Sequence, residues 1–107
     1  MTPREALLRA AELVELGHTK GASARDASGG VVLANSPCAV CFCALGAMRA
    51  ATCGLPTEDE QDDAFFAARG VLLGYLDRDT TVPWNDAPER TQADVVQALR
   101  AAAETCT

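Results

Sequence analysis

Aromatic side chains are scarce in this chain, with three Phe, one Trp and one Tyr in 107 residues. Alanine is abundant instead, so the interior has little bulk to fill wide gaps and its helices must approach closely. Positive charge is also short. Nine Lys and Arg face fifteen Asp and Glu, a formal net charge of −6, and a mean field of that sign disfavours nucleic-acid backbones and anionic lipid surfaces. There is one histidine, and no second closely spaced Cys or His pair, so a zinc-ribbon or zinc-finger ligand set is missing. No apolar run is long enough for a bilayer. The longest uncharged stretch, Ala27 to Met48, is interrupted by two glycines, an asparagine, two serines and a proline before its apolar part. The amino end lacks a basic segment followed by an apolar one, because Met1 to Arg9 already has helical amphipathicity. The expectation is a mature cytoplasmic chain with no membrane contact. Internal repeats and low-complexity segments are absent as well.

What is present describes one ordinary globular domain over 1–107. Hydrophobic residues at 49% and charged residues at 22% suffice for a core and exclude a disordered chain. Five cysteines, an odd number with three of them at Cys38, Cys41 and Cys43, make a poor disulfide framework and suit reduced thiols.

Four helices are predicted. Thr2-Pro3-Arg4-Glu5 is a capping box with proline at the first helical position. Leu7, Ala10, Leu13 and Val14 follow at helical spacing, and Gly17 ends a helix that should lie on the surface of the domain. Two short strands, about Ala22 to Arg25 and Val31 to Leu33, flank the turn-forming Asp26-Ala-Ser-Gly-Gly30 and predict a hairpin that must lean on helices. Ser36-Pro37 then reads as the start of a second, central helix running to Ala51, apolar all round and buried on most sides, with Gly46 admitting a neighbouring backbone. Thr57 and Glu60 open a third, whose inner face would be Phe65, Ala68, Leu72 and Tyr75. Gly70 and Gly74 on it would permit close contact with the second. Its acidic first turns complement the helix dipole. A loop from Asp77 to Arg90 precedes a last helix capped by Thr91 and Asp94, with Val95, Ala98, Leu99 and Ala102 inward and a frayed end at 105–107. The fold class is α+β and mainly α: a compact bundle of about four helices with a small β-hairpin between the first and the second.

The segments GHTKGASARDASG, CFCALGAMRA and VPWNDAPERTQADVV, in that order, resemble a family of small uncharacterised proteins encoded by bacteria and their phages. The resemblance covers nearly the whole chain. Trp84, Asn85, Asp86, Ala87, Pro88, Arg90 and Thr91 match one of its motifs, and Cys43, Ala44, Leu45, Gly46 and Ala47 match another. It implies a family and a phage or mobile-element setting, and assigns no activity.

Three chemistries compete with purely structural roles. Cys38 and Cys41 form a C-x-x-C pair at the start of the predicted second helix, which suits disulfide exchange, although the βαβ context of a thioredoxin is missing. Cys53 and His18 could join that pair around zinc, whereas Cys43, about 200° further round a helix than Cys41, could not. We assign no metal and no cofactor. A nucleophilic site would use Cys43 or Cys41 with His18 as base and Asp86 or Asn85 to orient it, yet Cys43 falls inside the predicted helix instead of at its activating start. The third chemistry is a ligand pocket in which Trp84 stacks, Asn85 and Asp86 orient and Arg25 or Arg90 supplies charge. Against it stands a tryptophan lid over the core. The preferred function is a non-enzymatic binding or regulatory module for a protein partner or a small molecule. The alternatives are a small cysteine-dependent enzyme and a structural homo-oligomer subunit.

Overall fold

The structure, a computed structural model, describes residues 1–106. It is an α+β fold dominated by helices: α1 (Pro3–Leu16), α2 (Ala44–Thr52), α3 (Glu58–Leu76), the short α4 (Val82–Asp86) and α5 (Gln92–Glu104). Three two-residue strands, β1 (Ala24–Arg25), β2 (Val31–Val32) and β3 (Cys41–Phe42), form an antiparallel sheet in the order β2-β1-β3.

α1 starts as its sequence dictates. Thr2 Oγ1 accepts from the Glu5 amide while the Glu5 carboxylate accepts from the Thr2 amide, a closed capping box with Pro3 at the first turn. Its apolar positions are not one surface stripe. Ala6, Leu7, Ala10, Ala11, Leu13 and Val14 are all buried, and the helix packs against α2, α3, α5 and β3. α1 is therefore the hub that the sequence assigned to the second helix, because alanines at 6, 10 and 11 let helices approach on several sides.

The second helix is shorter than expected. Ser36 begins no helix: its hydroxyl accepts from the Cys38 amide and its carbonyl from the Ala39 amide, closing a turn. The chain then extends through Cys41–Phe42 as β3, paired with β1 at Ala24↔Phe42 and Arg25↔Cys41. α2 starts only after Cys43, whose sulfur accepts from the Gly46 amide at 3.2 Å and caps the helix. An apolar run of this length suits a buried strand as well as a helix, and β-branched Val40 with aromatic Phe42 favours the strand.

The outer side of β3 is covered by the chain leaving α1. Phe42 donates to Gly17 and accepts from Thr19, making a parallel bridge at His18. Gly17 is needed there for space, since a Cβ would sit 2.4 Å from the Val40 carbonyl oxygen. Gly46 is needed more strictly, with a Cβ position 2.0 Å from the Ser23 carbonyl oxygen. The backbone it admits is thus that of the hairpin, not of a helix.

Thr57 caps α3, and Phe65, Ala68 and Leu72 face inward as predicted, but Tyr75 is exposed. Gly70 and Gly74 face open space, so the expected helix contact through them is absent. The Asp77–Arg90 segment is not all loop, because Pro83 sits in the first turn of α4, where a missing amide costs nothing. Thr91 and Asp94 close the second capping box, and Val95, Ala98, Leu99 and Ala102 are buried. The predicted frayed end reaches Thr107, which lies outside the described residues. No helix among the described residues is long and apolar enough to cross a membrane.

Candidate functional site

The densest polar arrangement in the interior is built on Asn85, at the end of α4 and fully buried. Its Oδ1 accepts from the Ala44 amide at 3.0 Å and lies 2.9 Å from His18 Nε2. Its Nδ2 donates to the Thr19 carbonyl at 3.1 Å and to Asp86 Oδ1 at 2.9 Å. An oxygen that faces His18 can only accept, so His18 carries its proton on Nε2. One side chain thereby ties together the segment after α1, the start of α2, and α4.

The flanks of this knot are polar too. Lys20 Nζ donates to the Ala87 carbonyl at 2.7 Å, and Arg90 Nε donates to the Trp84 carbonyl at 2.9 Å. The Arg90 guanidinium also stands 4.4 Å from the centroid of the Trp84 ring, which is buried. Trp84 therefore closes the core with a cation over its face, and no open stacking surface is left for a ligand. Arg25 approaches from β1, donating to Thr19 Oγ1, Lys20 O and Gly29 O. Of the five residues proposed to line one pocket, Trp84, Asn85, Asp86 and Arg90 sit at the knot, and Arg25 joins it from β1 through Thr19 and Lys20.

The cysteines are also dispersed. Cys38 is exposed on the turn, Cys41 is half-buried on β3, and Cys43 is buried at the start of α2; all five thiols are free. Cys43 is accordingly at a helix start and not inside the helix, a correction that removes one objection to a nucleophile. A stronger one replaces it. Burial pushes the Cys43 thiol up from its ordinary value, and the nearby Asp86 carboxylate pushes it further, against the downward pull of the Gly46 and Leu45 amides. His18, meanwhile, bonds to Asn85, and no hydrogen bond joins it to a cysteine among the described residues. Cys43 and Asp86 share a cleft of about 200 Å³ with Gly21 to Ser23 and Val82. Among the described residues no three Cys, His, Asp or Glu side chains group as metal ligands.

The larger concavity was not foreseen from the sequence. A groove of about 740 Å³ runs between the hairpin and the α2–α3 pair, with 31–35 along one side, Leu45, Gly46 and Arg49 at its floor, and Phe65, Phe66 and Arg69 opposite. Val31, Leu33 and Phe66 are 68%, 75% and 57% exposed, unusual for such side chains in a small core. Arg49 lies 3.7 Å from the Phe65 ring centroid and pairs with Asp62 at 2.8 Å, which fixes its guanidinium at the groove wall. A second concavity between α1 and α5, of about 670 Å³, is bridged by the Arg100–Glu15 ion pair and by Gln92, which donates to the Val14 and Glu15 carbonyls. Glu15, Gln92 and Arg100 are engaged in those contacts, and Gln97 and Glu104 complete its polar lining.

The profile of a family of unknown function, DUF6197, matches residues 1–105, and the chain belongs to that family. Neither a curated protein nor a solved structure matches it.

Proposed function

We propose that this protein is a non-enzymatic binding module for a protein partner, and that the groove between the hairpin and α3 is its contact surface. The observation that carries this reading is the combination in one concave face of exposed Val31, Leu33 and Phe66 with Arg49 and Arg69. Apolar side chains clustered in a groove with a few placed charges are the usual composition of a binding surface. The polar interior supports the same reading from the other side. Asn85 bonds His18 and the Ala44 amide, and Cys43 Sγ accepts from the Gly46 amide, contacts that rigidify the scaffold and give the thiol no base as partner.

The test is photo-cross-linking with p-benzoylphenylalanine introduced at position 66, followed by reconstitution of the captured partner from purified components. Leu33→Asp and Phe66→Asp should each weaken the purified complex by about tenfold or more. A binary complex that tolerates both substitutions would overturn the assignment.

A further inference from the structure

Resting on that reading of the groove, we propose that its occupant is an extended, acidic segment of the partner, which adds as a fourth strand to β2 and sets a carboxylate against Arg69.

The sheet has one open edge among the described residues. β3 is flanked on its far side by the 17–19 segment, whereas β2 has β1 on one side only. Which groups of β2 are free follows from the ladder. The Asp26 amide donates to Gly30 across the hairpin at 2.9 Å, and antiparallel pairs alternate between hydrogen-bonded and open, so Arg25↔Val31 is an open pair and Ala24↔Val32 a bonded one. The Val40 amide, donating to the Arg25 carbonyl from the β3 side at 2.9 Å, confirms that phase. The main-chain groups of Val31 and the Leu33 amide therefore point away from β1, along the rim of the groove. An added strand would meet them directly, with its alternate side chains against Leu33 and Phe66.

Charge selects the chemistry. The chain is acidic as a whole, yet the groove carries two arginines. Arg49 is partly neutralised by Asp62, while Arg69 has no ion-pair partner among the described residues. Arg69, a half-buried residue lining the same groove as Phe65 and Phe66, suits a carboxylate, and a basic segment would be repelled. Two-residue β2 with exposed aliphatic neighbours has none of the lysines or prolines that usually blunt an edge.

The experiment is selection of short random peptides, displayed on phage, against the full chain, followed by affinity and amide-exchange measurements on synthetic versions of the winners. Selected peptides should alternate aliphatic residues with an excess of Asp and Glu. Arg69→Glu should weaken them by about tenfold or more, and their binding should slow exchange of the Val31 and Leu33 amides by about tenfold or more. Circular dichroism on Arg69→Glu checks that the fold is kept. Winners that depend on Leu33 and Phe66 but show no acidic excess, or leave those two amides unprotected, overturn the strand-addition inference and leave the groove reading standing. Winners indifferent to Leu33→Asp and Phe66→Asp, or no winners at all, overturn both.

Discussion

Asn85 uses every polar atom of its side chain inside the protein, accepting from Ala44 and His18 and donating to Thr19 and Asp86. Asn85→Ala would leave the Ala44 amide, the Thr19 carbonyl and His18 Nε2 without partners in a buried site. The expected cost is about 3 kcal/mol or more, read as a shift of the urea midpoint with unchanged slope. Cys43 makes a second residue-scale prediction, from its buried thiol. Burial favours the neutral form, so the folded pKa lies above the ordinary value of 9.0. Between the two values the folded state binds more protons than the unfolded one, and stability falls as pH rises. The contribution is whole below pH 9 and is lost as pH climbs through the raised value. Urea midpoints from neutral to alkaline pH should therefore decline more steeply for the wild type than for Cys43→Ser, which keeps a capping atom and does not titrate; parallel declines would refute the assignment.

At the scale of elements, the capped starts were legible and the apolar run before α2 was not. Thr2–Glu5, Thr57–Glu60 and Thr91–Asp94 are local patterns, and local hydrogen bonds satisfy them wherever the helix later docks. Ser36-Pro37 has the same local signature. It ends in a turn because the next residues are drawn into pairing with β1, a contact 18 positions apart at Ala24↔Phe42, which no local pattern encodes. The same error misplaced the cysteines, since angles round a helix have no meaning for Cys41 on a strand. Gly70 and Gly74 supply the element-scale prediction. Both lie in α3, with open space where a Cβ would be and no positive φ. Gly70→Ala and Gly74→Ala should each stabilise the protein by about 1 kcal/mol in denaturant unfolding. A loss of stability in either would restore the tight contact that their spacing suggested.

For the whole molecule, the chain folds to a radius of gyration of 12.5 Å, close to the roughly 13 Å expected for a compact domain of this length. Composition alone determined a small-residue interior with an acidic net charge, and the periodicity of Leu7, Val14, Val95 and Leu99 determined which faces would be buried. Those properties are sums over residues or repeats along one element, so they survive any arrangement of the elements. Tertiary structure decided the rest. It made α1 the hub, turned Asn85 inward to join His18 with Ala44, and put Arg69 and Phe66 across from β2. Each of these depends on which distant backbone groups find partners. The groove exists because Gly46 lets the hairpin settle against α2 while α3 stands off from β2, a distance between elements that the sequence of neither one contains.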